Sequence, residues 1–472
     1  MYYRMGSGLM LRGWEGRSWV LVRRADHATR TLTREEFDAL LLCDGETVID
    51  DELLTPGIRD ALDRLLRKNM IRPCDAPDPI DAEQRYRLYR NKYVESAFWS
   101  ITGRCNYRCR HCFMDAPDAV LGELSHEEAI DLIDQMADCG VLRVDITGGE
   151  PLVRSDFWQL MDRLAMHYII VGMVYTNGWL LTEQVLDEFE RRGMRPEISI
   201  SFDGVGWHDW MRGIEGAEEA ALRALRLCQR RGFPTNVEMC LHKGNAHTLR
   251  ETVRTLAEIG VPGIKVSNVA ATPLWKAHAE GNVMSDQEYY DTMLAYLPHF
   301  FEDGMPINLT IASMMRLQKG STAYRVFADG FSDPEKMLEN HLCGAIRNSC
   351  YITPEGRLLP CMPMTASDRQ NIFPLIRDIG LKNGLSDSFY MQYVNQRVCD
   401  LFAKNAQCNA CPHKLQCGGG CRAEAFLGKD DDLMGCDYQR CWFYDNGYPQ
   451  RIHEVADAAI ARYAGEAAER SE

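Results

Sequence analysis

Three cysteines constrain this chain more than any other feature: Cys105, Cys109 and Cys112, in the run Cys105-Asn106-Tyr107-Arg108-Cys109-Arg110-His111-Cys112. Read as a loop, the run wraps three thiolates around a compact soft metal centre, and thiolates suit iron–sulfur clusters or zinc. A cube of four irons held by three thiolates keeps one iron open, where a substrate or cosubstrate can bind. A zinc knuckle would also satisfy the triplet taken alone, so the surrounding sequence has to decide.

The chain has 472 residues and 18 cysteines. At roughly 150 residues per domain, that length suggests about three domains. Hydrophobic residues make up 46% and charged ones 26%, an ordinary balance for a globular protein with a sizeable core. A formal charge of −15 argues against non-specific nucleic-acid binding, which needs clustered Lys and Arg. No basic, apolar and cleavable signal segment opens the sequence. The longest apolar run, around Tyr168 to Tyr175, is far short of the roughly 20 residues of a membrane helix. A cytoplasmic location is therefore expected, with neither membrane nor nucleic acid as partner. In a reducing compartment, cysteines at short spacings mean metal or redox chemistry rather than disulfides.

Residues 1–90 read as a separate module. Ser18 to Val22 is strand-like, and Thr33-Arg34-Glu35-Glu36 is a capping box ahead of Phe37, Leu40 and Leu41 at helical spacing. A second helix carries Ile58, Leu62, Leu65 and Leu66 on one face, and Pro73 to Arg87 reads as a linker. From Ser96 the pattern becomes strand and helix in alternation. Strands are expected near 98–102, 141–147, 169–176, 197–202, 235–241 and 263–269, with helices of ten or more residues between them. Such alternation means right-handed βαβ units and a parallel sheet. Six units are too few for a closed eightfold barrel, so the expected fold is α/β with a partial, open (β/α)6 TIM-like barrel over 91–310. Residues 311–450 are loop-rich and crowded with cysteines, which calls for metal staples. Residues 451–472 end in an amphipathic helix.

Several short segments fall at the ends of the expected strands. Gly148-Gly149-Glu150-Pro151 closes the second strand, Thr176-Asn177-Gly178 the third, and Ser199-Ile200-Ser201-Phe202-Asp203-Gly204 the fourth. Together with Cys105-x3-Cys109-x2-Cys112, this order resembles radical S-adenosylmethionine (SAM) enzymes. The resemblance implies a [4Fe–4S] cluster on Cys105, Cys109 and Cys112, with SAM chelated to the open iron. One-electron cleavage of SAM then gives a 5′-deoxyadenosyl radical that abstracts hydrogen. It further implies that Gly148, Gly149, Glu150 and Pro151 receive the SAM amine and that Asn177, Ser201 and Asp203 line its ribose and methionine; Arg212 is expected either to meet its carboxylate or to form a surface salt bridge.

The C-terminal cysteines resemble a SPASM domain, which implies two auxiliary [4Fe–4S] clusters and three in all. One would take Cys343, Cys350, Cys361 and Cys421. The other would take Cys408, Cys411, Cys417 and either Cys436 or Cys441. Cys43, Cys74, Cys139, Cys228, Cys240, Cys399 and whichever of Cys436 and Cys441 is unused remain as structural thiols, with Cys399 also considered as a hydrogen-atom donor. Met362 follows Cys361 where sulfatase-maturing members carry an aspartate, which argues against formylglycine formation. The run from Thr31 to Ile71 resembles the winged-helix-like recognition domain of peptide maturases, in which a leader peptide is clamped as an added strand. The implied function is maturation of a ribosomal precursor peptide by an intrapeptide crosslink, a thioether first, with a flavodoxin- or ferredoxin-type reductant. Alternatives are epimerisation, carbon–carbon crosslinking, action on a small molecule or tetrapyrrole, and a non-enzymatic iron–sulfur protein.

Overall fold

The central strands alternate apolar and polar residues with the apolar set turned outward. In Thr235–Leu241, residues Thr235, Val237, Met239 and Leu241 are buried, while Asn236, Glu238 and Cys240 are only partly covered. Successive side chains of a strand point to opposite faces. One face therefore lies under helices and the other looks into an interior cavity.

The computed structural model describes residues 1–469 apart from 115, 117, 119, 271, 331, 332 and 429–431. Its parallel strands β1 (Ser96–Ser100), β2 (Arg143–Thr147), β3 (Ile170–Thr176), β4 (Glu197–Ser201), β5 (Thr235–Leu241) and β6 (Gly263–Asn268) pair in chain order. They alternate with helices α1 (His126–Asp138), α2 (Phe157–Met166), α3 (Glu183–Arg191), α4 (Ala217–Arg231), α5 (Leu249–Ile259) and α6 (Asp286–Glu302). These are the six βα units expected. Helix α1 begins where its sequence dictates, since Ser125 Oγ accepts from Glu128 N and the Glu128 carboxylate accepts from Ser125 N.

The sheet runs further than the six units and reaches eleven strands. Strand β7 (Asn308–Ile311) adds in parallel beside β6, followed by antiparallel Met315–Leu317 and Tyr324–Val326. At the other side Ser349–Ile352 joins β1 in parallel and turns back through Leu358–Leu359. Strands of four residues or fewer carry too little periodicity to be read from sequence.

The N-terminal module holds a four-stranded sheet in the order Thr29–Thr31, Arg17–Arg23, Leu9–Glu15, Arg87–Lys92. Helices Arg34–Leu42 and Pro56–Arg67 pack on it around Leu11, Leu21, Phe37, Leu40, Leu62, Leu65 and Ile71. The stretch expected to be a linker is held in place. Ile71–Cys74 pairs with Tyr2–Met5, and the buried Gln84 amide donates to Gly6 O (2.8 Å) and Leu9 O (3.3 Å). Prolines suit such edge and extended backbone as well as they suit a tether.

Aromatic packing seats this module on the barrel. Trp14 is fully buried, stacks on Tyr89 at 5.3 Å and meets Tyr93 edge-on at 4.7 Å. Its Nε1 donates to Cys139 O (3.0 Å) just after α1, as does Asn91 Nδ2 (3.0 Å). A Cβ at Gly140 would lie 2.5 Å from the Tyr89 ring, so only glycine permits this approach. At the other end, helix Tyr448–Glu469 lies along α6 with Ile452, Ala456 and Ala459 buried, and Tyr448 and Arg451 both donate to Asp291. Among the described residues no helix is long and apolar enough to cross a membrane.

Candidate functional site

The C-terminal ends of the barrel strands enclose a cavity of about 720 Å³ whose wall includes Cys105, Cys109, Cys112, Gly148, Gly149, Asn177, Ser201 and Arg212. The backbone from Cys105 to Cys112 runs in turns and bends without helix. The spacing i, i+4, i+7 would also fit one helix face, so spacing alone does not dictate the loop.

Both flanks of the loop are tied down. On one side Gly149 N donates to Thr102 O (2.8 Å), Glu150 N to Arg104 O (2.9 Å) and Asn177 Nδ2 to Asn106 Oδ1 (2.7 Å). On the other, Arg108 N donates to Arg212 O (3.3 Å) and Arg110 N to Met211 O (2.9 Å). A Cβ at Gly149 would stand 2.3 Å from Arg104 O, which accounts for the glycine.

The three thiols are unlinked by disulfides. Burial, with the neighbouring Cys109, Glu150 and Cys112, pushes Cys105 up to about 12. Three thiols lining one cavity wall fit a bound soft metal centre, which holds them as thiolates. Tyr107 N–H also donates to Cys105 Sγ (3.4 Å). The donor set fits an iron–sulfur cluster.

Glu150 sits behind the cavity wall, fully buried. One carboxylate oxygen accepts from Leu152 N (3.1 Å) and Thr176 Oγ1 (2.9 Å), the other from Asn177 N (2.8 Å). Burial outweighs these donors and pushes the carboxyl up to about 7. Gly148 and Gly149 thus face the cavity, while Glu150 ties the end of β2 to the end of β3. Pro151 is buried and opens a single 3₁₀ turn capped by the Glu150 side chain.

Asp203, also fully buried, pairs with Arg212 Nε at 2.6 Å. It accepts from Cys240 N (3.0 Å), and its own backbone N–H donates to His208 Nδ1 (2.9 Å). Burial opposes the charge, but Arg212 and His208 hold the Asp203 carboxyl well below the usual range. Arg212 is therefore already paired, and its Nη1 lies 3.8 Å from Cys109 Sγ. Ligand atoms of His111, Asp203 and Cys240 lie within 4.8 Å of one another. With a guanidinium on the same carboxylate, a further cation there is electrostatically opposed.

The C-terminal cysteines fall into two groups. Burial and then Cys421 and Cys343 push the Cys361 thiol far up, which puts these three together. Burial, with the neighbouring Cys139, pushes Cys350 up to about 12; its Sγ lies 3.8 Å from Ser96 O, and it lines the cavity as Cys361 does. In the second group Cys408 and Cys436 bring their sulfurs to 3.6 Å. Burial and then Cys436, Cys417 and Cys411 push Cys441 up to about 12, so five thiols share this region. Cys436 is buried and accepts from Asn405 Nδ2 (3.6 Å), whereas Cys441 rides on helix Tyr438–Asp445.

Sequence reasoning passed over the cavity floor. Asp145, Tyr175, Glu238, Cys240 and Lys265 line it, with Lys265 paired to Glu238 at 3.1 Å and Arg143 to Asp145 at 2.8 Å. The available signal was polar residues at the inward positions of β2, β5 and β6. Cys399 is exposed and does not line the cavity, whereas Cys240 does.

Residues 99–256 match the radical SAM superfamily model. The chain is 27% identical over 332 residues to mycofactocin maturase MftC of Mycolicibacterium smegmatis, covering 70% of this chain and 78% of that protein. It is 26% identical over 346 residues to the AdoMet-dependent heme synthase of Methanosarcina barkeri, covering 71% and 93%. The fold matches Streptococcus suis SuiB bound to precursor peptide SuiA with a TM-score of 0.64, at 14% identity, over 92% of this chain and 98% of that one. The triplet loop, the glycines of the second strand end and the partial barrel thus occur together with the family match, and residues 99–256 form a radical SAM enzyme domain, of a superfamily whose members use a [4Fe–4S] cluster and SAM.

Proposed function

We propose that this enzyme matures a ribosomal precursor peptide, abstracting hydrogen from it and closing an intrapeptide crosslink, first of all a thioether from a cysteine sulfur to carbon. One observation carries the choice of peptide over tetrapyrrole. Among the described residues, the lining cations Arg212 and Lys265 are each paired with a carboxylate, Asp203 and Glu238, and the lining Asp145 is paired with Arg143. A porphyrin with several carboxylates needs free cations. A wall whose cations are already paired suits a peptide, which binds through neutral amides, better. The maturase MftC and the peptide-bound SuiB support the same direction.

Cys105, Cys109 and Cys112 would hold the cluster; with SAM bound it supplies one-electron cleavage and a hydrogen-abstracting radical. The residues of the chain then have separate tasks. Gly148 and Gly149 offer bare backbone to the cofactor, and Glu150 holds that segment against β3. Asn177 and Ser201, at the ends of β3 and β4, line the same cavity. Cys343, Cys350, Cys361 and Cys421 would form one auxiliary site, with Cys408, Cys411, Cys417 and Cys436 or Cys441 the other, giving three clusters. The leader would bind the N-terminal module on the Thr29–Thr31 side, because the other edge strand, Arg87–Lys92, buries Tyr89 and Asn91 against the barrel. A flavodoxin- or ferredoxin-type protein of the cytoplasm would deliver the electron.

The test is anaerobic incubation of the reconstituted protein with SAM, reductant and a co-encoded Cys-containing peptide, followed by mass spectrometry. Loss of two hydrogens per bond is expected. Unchanged mass with deuterium uptake from solvent would instead identify an epimerase, and cleavage of SAM with an untouched peptide would sink the proposal.

A further inference from the structure

Four arginines surround the cysteine loop, and three of them are turned away from its sulfurs. Arg104 pairs with Glu123 at 2.7 Å, and Arg108 is exposed and lies 3.8 Å from Asp118. Arg110 pairs with Glu280 at 2.7 Å and stacks on Trp210. Arg212 alone reaches a sulfur, with Nη1 3.8 Å from Cys109 Sγ. We infer that Arg212, held by Asp203, sets the reduction potential of the cluster on Cys105, Cys109 and Cys112 as a fixed positive charge on the Cys109 sulfur. This rests on the cluster reading above.

The geometry makes the charge and the loop one unit. Arg212 Nε is locked to Asp203 at 2.6 Å, and Asp203 is itself locked by Cys240 N at 3.0 Å on β5. The carbonyls of Met211 and Arg212 meanwhile accept the amides of Arg110 and Arg108 inside the loop. A Cβ at Gly213 would lie 2.3 Å from Arg108 O, so this contact is as close as backbone allows. The backbone contacts hold Arg212 to the loop, Asp203 holds its guanidinium beside Cys109, and the guanidinium does not lose its proton. Adding an electron makes a thiolate-bound cluster more negative. A hydrogen-bonding cation on a ligand sulfur stabilises that reduced state and raises the potential. Asp203 offsets part of that charge, and also acts on the Cys109 thiol through space. Arg212 is thus a positioning residue for the electron, in addition to any contact with the cofactor.

The experiment is an EPR-monitored redox titration of the reconstituted full-length protein, following the reduced-cluster signal that changes on addition of SAM. Arg212→Gln should take up full iron yet lower the equilibrium constant for one-electron reduction at least tenfold, a fall of about 59 mV. Arg212→Lys, which keeps the charge, should recover most of that. A full-iron Arg212→Gln protein with the parental potential overturns the inference. If Arg212→Gln fails to load iron, Asp203→Asn decides. It keeps the guanidinium and removes its counter-charge, so the potential should rise, and a fall or no change refutes the idea. A parent protein with no SAM-responsive signal would fail the cluster reading itself, which is a different outcome from an unmoved potential.

Discussion

Replacing Glu150 with Gln separates a carboxylate that is ionised at a cost from one that is comfortably charged. Its carboxyl is raised from 4.5 to about 7 by burial. At 1.36 kcal/mol per pKa unit the shift corresponds to about 3 kcal/mol. The sign follows from the direction. A raised carboxyl binds its proton more tightly when folded, so the contribution is fully present below pH 4.5 and lost as pH rises through about 7. Between about pH 6 and pH 8.5, a range that spares acid-labile clusters, about 1.4 kcal/mol should disappear. Gln cannot ionise, so this fall should vanish. Against that, the amide NH₂ must face either Asn177 N or Leu152 N, both donors, at a loss of about 1–3 kcal/mol. The Glu150→Gln protein should therefore be less stable at low pH and approach the parent as pH rises. Urea unfolding of both proteins across this range measures the difference directly. A parallel pair of curves would show that Glu150 does not titrate there and would refute the burial argument.

Other consequences are simpler to read. Changing Cys105, Cys109 and Cys112 together to Ala should abolish SAM cleavage and lower iron from about twelve to about eight per chain, as counted chemically. Trp14→Ala should destabilise the protein by about 3–5 kcal/mol, and limited proteolysis should then cut near residues 75–95; an unchanged urea midpoint would contradict the docking described. This is also why cutting away residues 1–90 is a poor probe of leader binding, since it would strip Trp14 and Tyr89 from the barrel surface. Cys436→Ser should remove about four irons, because Cys436 is buried with its sulfur 3.6 Å from Cys408, whereas Cys441→Ser should keep them. The reverse pattern would make Cys441 the ligand.

What could be read from the sequence follows physical scale. The barrel was legible because each βα unit carries a long apolar helix stripe, as in Leu186 and Phe189 of α3, and a strand bounded by turn residues. Two strands at 308–311 and 349–352 were not, since four residues show no usable period. The cysteine loop and the strand-end glycines stood out as short motifs. Pairings such as Asp203 with Arg212 and Lys265 with Glu238 did not, because they depend on which inward positions of neighbouring strands come level. Proline-rich 73–87 misled for the opposite reason: its composition suits a tether, and the contacts of Gln84 that fix it are non-local. The C-terminal cysteines lie between: their number is visible, but their partition depends on loops without periodicity.

The central claim is that hydrogen leaves a peptide for a radical formed from SAM in this cavity. It is tested most directly by giving the reconstituted enzyme SAM, reductant and a fully deuterated precursor peptide, then recovering the 5′-deoxyadenosine. The account predicts deuterium in that product, in proportion to modified peptide. Unlabelled 5′-deoxyadenosine beside an unmodified peptide would contradict it.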